Sequence, residues 1–229
     1  MSRTQGLGRP RLHFRLLDST NQRARELAAG GAPHGTLITA REQSAGRGRQ
    51  GRSWVGPPGC ALLCSVIVRD PPRLLPLAAG VAVAEVAGPQ ATLKWPNDVL
   101  LDRRKVAGIL VEGRPQQDWA VVGVGLNVAV RLDELPADLH ERAGTLGLGP
   151  EAIEPTLGRL LERLEHWTAA GPAQVLEAVR ARDALRGRRV RWADGEGQAA
   201  GIDGDGRLIV STATGQVGLE AGEVHLVGP

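Results

Sequence analysis

The texture of the sequence changes once, near Leu185–Arg188, and that change limits the folds the chain can adopt. Upstream, apolar strands alternate with segments of helical period. Downstream, "RGRRVRWADGEGQAAGIDGDGRLIVSTATGQVGLEAGEVHLV" is a series of short alternating strands separated by Asp-Gly and Gly-rich turns. The first pattern predicts an α/β domain built on a mixed sheet, and the second a small all-β barrel. The expected division is 1–186 and 187–229, with the Arg/Gly/Pro-rich residues 1–11 disordered.

Within the first part, "HFRLLDSTNQRARELAAG" predicts a short strand over His13–Leu17. A helix follows from about Asn21 to Ala29, capped by Ser19 or Thr20 and stopped by Gly30-Gly31. "GTLITARE" alternates as a strand, and "CALLCSVIVR" is a continuous apolar strand. "RLLPLAAGVAVAEVAG" has helical spacing over an Ala-rich face suited to close packing on a sheet. "ATLKWPNDVLLDRRKVAGILVEG" reads as strand, turn, strand, hairpin turn and strand, and "WAVVGVGLNVAV" as a strand broken by glycines. Two helices are expected, at Ile153–Ala169 and Ala173–Leu185. The segment "QSAGRGRQGRSWVGPPG" has no apolar period, which makes it a long loop. Inside a compact domain such a loop is functional or mobile.

Composition narrows the candidates. With five Trp, one Phe and no Tyr, the core is built from Leu, Val, Ala and Ile, and each Trp invites a question about its role. Of 28 basic residues only Lys94 and Lys105 are lysines, a skew that marks both as positions where a compact ammonium is wanted. The net charge of +3 is too small for the basic pI to argue for nucleic acid. Cys60 and Cys64 can form neither a zinc quartet nor a disulfide framework, and read as small buried hydrophobes. There is no apolar signal core, and no run reaches the roughly 18 apolar residues of a membrane span. A cytoplasmic protein is expected.

The chemistry-bearing residues begin with the loop. Gly46, Gly48 and Gly51 alternate with Arg47, Arg49 and Arg52. Such glycines let successive N–H groups turn toward an anion, and the arginines add forked donors for phosphate or carboxylate. This is neither a Walker A loop nor a Rossmann fingerprint. Alone it also fits a flexible basic segment or an RNA-binding one; its place between two strands favours a phosphate-handling lid. In "KWPNDVLL", Pro96 sets a turn that presents Asn97 and Asp98 after a strand, with Lys94 and Trp95 beside it. Lys105 heads the strand "KVAGILVE", where a point charge can reach a carboxylate or an α-phosphate. Gly108, inside that strand, costs stability unless something approaches closely. Gly123 and Gly125 in "GVGLNV" leave room for a ligand or for a tight strand crossing, and Asn127 presents an amide.

Taken in order, "DSTN", "EQSAGRGRQGRSW", "KWPNDV", "KVAGILVE" and "GVGLNV" resemble the biotin protein ligases, also called biotin–[acetyl-CoA-carboxylase] ligases or holocarboxylase synthetases. The likeness is dense over Leu16–Val128. It implies a mixed-sheet α/β domain of the class II synthetase-like, biotin–lipoate ligase type, with an SH3-like C-terminal barrel. It also implies a carbon–nitrogen bond-forming ligase. Such an enzyme makes biotinyl-5′-AMP from biotin and ATP with Mg²⁺ and passes biotin to a lysine of a biotin carboxyl carrier protein. By resemblance, Ser19, Thr20, Asn21, Gln43 and Gly108 bind biotin, together with Arg47, Gly48 and Arg49 of the lid. Lys105 meets the biotin carboxylate and then the α-phosphate, and Lys105 and Arg49 are the catalytic pair. Arg47, Arg49, Arg52, Trp54, Lys94, Asn97, Lys105 and Asn127 form the nucleotide side, with Trp54 stacking on adenine, and Asp98 is the candidate metal ligand. Gln50 stands where some relatives carry Arg. Some members add an N-terminal helix-turn-helix; about a dozen residues precede the first strand here, so no DNA binding is expected. The family likeness also implies a homodimer and no membrane partner.

The rivals are a lipoate–protein ligase or octanoyltransferase, a nucleic-acid-binding module, and an inactive biotin sensor. Octanoyl transfer needs an acyl-accepting cysteine in the site, and lipoate ligases are expected to show an Arg-Arg…Gly-Gly-Gly loop; the sequence offers neither. The intact Lys105, Arg49 and loop argue against a sensor.

Overall fold

A computed structural model describes residues 6–113, 116, 118–220 and 222–227. Seven strands form one sheet: β1 (Arg11–Phe14), β2 (Leu37–Ala40), β3 (Ala61–Arg69), β4 (Thr92–Lys94), β5 (Asp98–Leu101), β6 (Arg104–Gly113) and β7 (Trp119–Asn127). Their order is β1-β2-β3-β7-β6-β5-β4. Among the described residues, β1–β2 is the one parallel pair of its named strands, which makes the sheet mixed.

Period-2 alternation divides the side chains of β7 between two faces. Ala120, Val122, Val124 and Leu126 enter the main core, whereas Val121 joins the cluster under helix α1 (Thr20–Ala29). The main core is filled by α2 (Leu75–Ala87), with α3 (Ile153–Ala169) and α4 (Pro172–Ala181) behind it. Ala78, Ala79, Gly80, Ala82 and Ala84 keep α2 thin enough to lie between the sheet and the two outer helices. On the other face, Ala24 and Ala28 of α1 pack on Ile38, Ile67 and Val121. Ser19 caps α1, accepting from the Gln22 N–H at 3.5 Å. Gly123 and Gly125 lie on this second face.

Several boundaries differ from the sequence expectation. The first strand starts at Arg11 and ends at Phe14 because its ladder runs beside β2, from Leu37 N–H→Pro10 O to Arg41 N–H→Phe14 O. Of the segment expected to be disordered, 1–5 lie outside the described residues. Gly8 N–H donates to Gly35 O at 2.8 Å, so residues 6–11 are tied to the domain. Helix α4 stops at Ala181 rather than Leu185. The chain beyond it bridges edge strand β4 instead, with Leu93 N–H→Arg182 O and Ala184 N–H→Leu93 O.

The second sheet contains β8 (Arg189–Trp192), β9 (Gly195–Ile202), β10 (Leu208–Thr212), β11 (Gly215–Leu219) and β12 (His225–Leu226). It is antiparallel, in the order β11-β10-β9-β8-β12. The small β module expected here is this five-stranded sheet, and among the described residues no ladder joins β11 to β12. β12 is only two residues long, too short to seal the seam. Val190, Ala199, Ile202, Leu208, Val210 and Val224 share the apolar cluster of α2, and Trp95 Nε1–H donates to Gly206 O at 3.0 Å. Among the described residues no helix is long and apolar enough to cross a membrane.

Candidate active site

Two cavities lie side by side on the α1 face of the large sheet. Ser19, Thr20, Asn21, Gln43, Arg47, Gly108, Gly123 and Gly125 contribute to the first. Arg49, Arg52, Lys94, Asn97, Asp98 and Glu223 contribute to the second. Gly48, Trp54 and Lys105 line both.

A closed polar network fixes the floor of the first cavity. Ser65, fully buried on β3, has its Oγ 2.6 Å from Asn21 Oδ1 and 2.9 Å from Thr20 Oγ1. One hydroxyl carries one hydrogen, so Ser65 donates to the amide oxygen, which can only accept. Asn21 Nδ2 donates to Leu110 O at 3.2 Å and to Glu112 Oε2 at 2.9 Å, so the amide cannot rotate. Gln43 Oε1 accepts from the Thr20 N–H at 2.8 Å and lies 3.1 Å from the Thr20 hydroxyl, whose one hydrogen serves either Gln43 or Ser65. A Cβ at Gly123 would overlap Asn21 Oδ1, so the glycine is what lets the amide lie flat on β7.

The Gly/Arg segment is not irregular throughout. Trp54 N–H donates to Gly46 O at 2.9 Å, Gly48 N–H donates to Arg52 O at 2.7 Å, and Arg47 bridges Ser53. It is a narrow hairpin with a 3-10 turn at Arg49–Gly51, where Gln50 takes the left-handed conformation at φ 55°. The hairpin lays Trp54 against the sheet: a Cβ at Gly125 would overlap the indole, and one at Gly108 would sit 3.1 Å from Cζ3. Neither a strand crossing nor open space explains Gly123 and Gly125; two side chains do. Among the described residues, buried Trp54 Nε1 has no hydrogen-bond partner, which leaves a donor in the wall between the cavities.

Positive charge gathers where the cavities meet. Lys105 Nζ lies 2.7 Å from Asp98 Oδ1 and 5.8 Å from the centre of the Trp54 ring. Arg49 Nη1 donates to Asn97 Oδ1 at 3.2 Å, and Asn97 Nδ2 is spent on Ile109 O. Burial lowers the Arg49 pKa, opposed by Asp98. Burial lowers that of Lys94 too, with Lys105, Arg52 and Arg142 pushing the same way and Asp98 against them. Each cation is there at an electrostatic cost, which a bound polyanion would relieve. The second sheet closes this side through Gly222, Glu223 and Val224, and Glu223 forms an ion pair with Arg52.

Of the residues singled out from sequence, Ser19, Thr20, Asn21, Gln43, Arg47, Gly48, Gly108 and Lys105 meet at the first cavity. Arg49, Arg52, Trp54, Lys94, Asn97 and Asp98 meet at the second. Asn127 is not brought to either; its Nδ2 donates to Gly144 O at 2.8 Å and braces the segment after β7. No group of three or more His, Cys, Asp or Glu is placed to hold a metal among the described residues. Cys64 faces the α2 core, and burial pushes its thiol up to about 12, so it is no acyl acceptor. Sequence reading missed Ser65, Glu112 and Glu223. Ser65 carried a signal as the lone hydroxyl inside "CALLCSVIVR", and Glu112 shares the register of Gly108 and Leu110. Glu223 carried none.

Residues 13–128 match the model of the Biotin/lipoate A/B protein ligase family, and 186–227 match the biotin protein ligase C-terminal domain. The chain belongs to the biotin/lipoate A/B protein ligase family. A biotin–[acetyl-CoA-carboxylase] ligase of Mycobacterium tuberculosis is 38% identical, with 91% of this chain and 86% of that one covered. Its counterpart from Paracoccus denitrificans is 35% identical, with 92% and 98% covered. Among solved structures, the biotin protein ligase of Aquifex aeolicus in complex with biotin and ATP superposes with a TM-score of 0.79 at 27% identity, covering 96% of this chain and 99% of that one.

Proposed function

We propose that the chain activates biotin with ATP as biotinyl-5′-AMP and transfers it to a lysine of a biotin carboxyl carrier protein. One observation carries this reading: Lys105 stands in the wall common to both cavities, so a carboxylate in the first and an α-phosphate in the second share one ammonium. The bicyclic head of biotin fits the polar floor of Ser19, Thr20, Asn21 and Gln43, with Gly108 leaving room for its body. The nucleotide fits against Trp54, Arg52, Lys94 and Asn97.

In the first step a carboxylate oxygen of biotin attacks the α-phosphorus, the bond to the bridging oxygen breaks, and pyrophosphate leaves. Two anions must approach each other, and Lys105, Arg47 and Arg49 offset that repulsion and stabilise the charge developing on the α-phosphoryl oxygens. Positioning supplies most of the remaining acceleration. Asp98 is paired with Lys105 and the Asn97 amide oxygen accepts from Arg49, so the ATP phosphates and water rather than these two would supply most of the Mg²⁺ sphere. When bound, Mg²⁺ neutralises phosphate charge. In the second step the neutral amine of the acceptor lysine attacks the acyl carbon, AMP departs with the bonding pair, and the amine proton passes to solvent. No enzyme nucleophile is needed. The hairpin at Gly46–Trp54 shields the mixed anhydride from water meanwhile. ATP as co-substrate fits a cytoplasmic setting.

Incubation with ATP, Mg²⁺ and biotin should leave a bound species with the mass of biotinyl-AMP, and lipoate or octanoate in its place should not yield the matching adenylate. Lys105→Ala should abolish pyrophosphate release with the fold intact. An adenylate with lipoate but not biotin, or undiminished release by the variant, would overturn the assignment.

A further inference from the structure

Glu112 is a half-buried carboxylate that the chemistry above does not use. It sits near the end of β6, in the alternation that brings Gly108 and Leu110 to the first cavity. Both of its oxygens meet α1, and one of them also reaches the hairpin. Oε2 accepts from Asn21 Nδ2 at 2.9 Å, on the cavity floor. Oε1 lies 3.2 Å from Arg25 Nη1 on α1 and 3.9 Å from Arg47 Nη2 on the hairpin. Arg47 is held from a second side, where its Nη1 donates to Gln22 Oε1 at 3.0 Å.

We infer that Glu112 is a positioning residue that couples the floor of the biotin cavity to the Gly/Arg hairpin, so that an ordered Asn21 and a docked Arg47 occur together. The inference rests on the functional reading above for its substrate, but its mechanical part does not. Without Glu112, one donor of the Asn21 amide loses its acceptor and the amide is free to turn about Ser65 and Leu110 O. Arg47 loses its anionic neighbour on β6 and keeps, among the described residues, the neutral Gln22 on α1. A carboxylate in this place costs desolvation that a purely structural contact between β6 and α1 would not require. It gains its worth from accepting the Asn21 amide donor while setting a negative charge 3.9 Å from the Arg47 guanidinium. Arg25 is the control. It shares Glu112 but, among the described residues, makes no hydrogen bond or ion pair with the cavity floor or the hairpin, so its removal separates helix anchoring from site coupling.

Glu112→Gln, Glu112→Ala and Arg25→Ala should be compared with the unmodified chain in adenylate formation, adenylate release and hydrogen exchange. The Glu112 variants are expected to raise KM for biotin and the rate of adenylate loss by about tenfold, the size of one hydrogen bond to a charged group. KM for ATP and kcat at saturating biotin should move far less, with Gln milder than Ala. Arg25→Ala should leave KM for biotin within about twofold, inside the range of an exposed ion pair. Amide exchange over 46–52 in the substrate-free protein should quicken in the Glu112 variants only. Unchanged exchange there, in a Glu112→Gln protein that melts like the parent, overturns the coupling whatever the substrate proves to be. Equal changes in both KM values, or an Arg25→Ala protein as impaired as Glu112→Ala, reduce Glu112 to a structural contact and overturn it also. Failure of the unmodified chain to form biotinyl-AMP would instead strike the functional reading and leave the exchange result to decide this one.

Discussion

Asp98 Oδ1 lies 2.7 Å from Lys105 Nζ, across the antiparallel pair β5–β6, and this contact aims the ammonium at the wall shared by the two cavities. Lysine has a flexible four-carbon stem, so an ammonium needed at one point requires a partner to hold it there. Asp98→Asn keeps the shape and removes the charge. Loss of one charge-assisted hydrogen bond is worth about 1.5–3 kcal/mol, or roughly tenfold to a hundredfold in the rate of adenylate formation. The loss should persist at every Mg²⁺ concentration, because the pair acts on Lys105 rather than through the metal. Full recovery of the variant's rate at high Mg²⁺ would show that Asp98 serves as a ligand and not as a brace.

Gly123 faces Asn21 with no space between them. In Gly123→Ala the new methyl must displace the amide from Ser65 and Glu112, while the backbone of β7 stays in its ladder between β3 and β6. Overpacking of this kind costs about 1–3 kcal/mol. The functional effect should fall on biotin, with KM raised at least about tenfold on the same scale, and KM for ATP little changed. A variant with unaltered biotin KM would mean that Asn21 does not contribute to that cavity's recognition.

How much of this was legible beforehand depends on the range of the interaction. The strands of the large sheet and helices α1 to α3 follow from local period, because their apolar faces repeat within a few residues. The segment Gly46–Trp54 was legible as a long loop but not as a hairpin, since its ladder is built from backbone groups of Gly and Arg with no apolar alternation. Asn127 shows where local sequence stops being informative. A polar residue at a strand end looks the same in sequence whether it faces a ligand or braces a loop, and Gly144 lies seventeen residues further on. Glu223 is missed for the same reason at longer range: only the docking of the second sheet brings it to Arg52.

His225 reports on the nucleotide side of the site. Its pKa is lowered from 6.5 by burial first, and then by Lys94, Arg52, Arg142 and Arg191. With the folded-state value below the unfolded one, the unfolded chain binds the proton more readily. Protonation of His225 therefore costs stability as pH falls through 6.5 toward the folded value, and the cost is absent above the unfolded value. An anion seated among those cations should cancel their push and raise the His225 pKa. Titration of the imidazole by NMR with and without inorganic triphosphate measures this directly. An unmoved midpoint under saturating triphosphate would place the polyphosphate elsewhere.

Trp54 and Gly125 make the sharpest test of how the second cavity is formed. The indole lies on β7 where a Cβ at Gly125 would overlap it, with Lys105 Nζ 5.8 Å from its ring centre and its own Nε1–H unpaired. Gly125→Ala lifts the ring away from the sheet, and the hairpin must follow because Trp54 N–H is tied to Gly46 O. The loss therefore combines a displaced stacking face with a displaced lid. KM for ATP should rise by about tenfold, the size of one aromatic stacking contact. Adenylate should also escape faster, seen as labelling of bystander protein when ATP and biotin are supplied. Trp54→Phe keeps a face while removing the N–H and part of the bulk, so it should retain most ATP affinity and should partly rescue Gly125→Ala by fitting over the methyl. That rescue is the decisive outcome: if the double variant is as poor as the sum of its parts, the glycine is not there to make room for the indole.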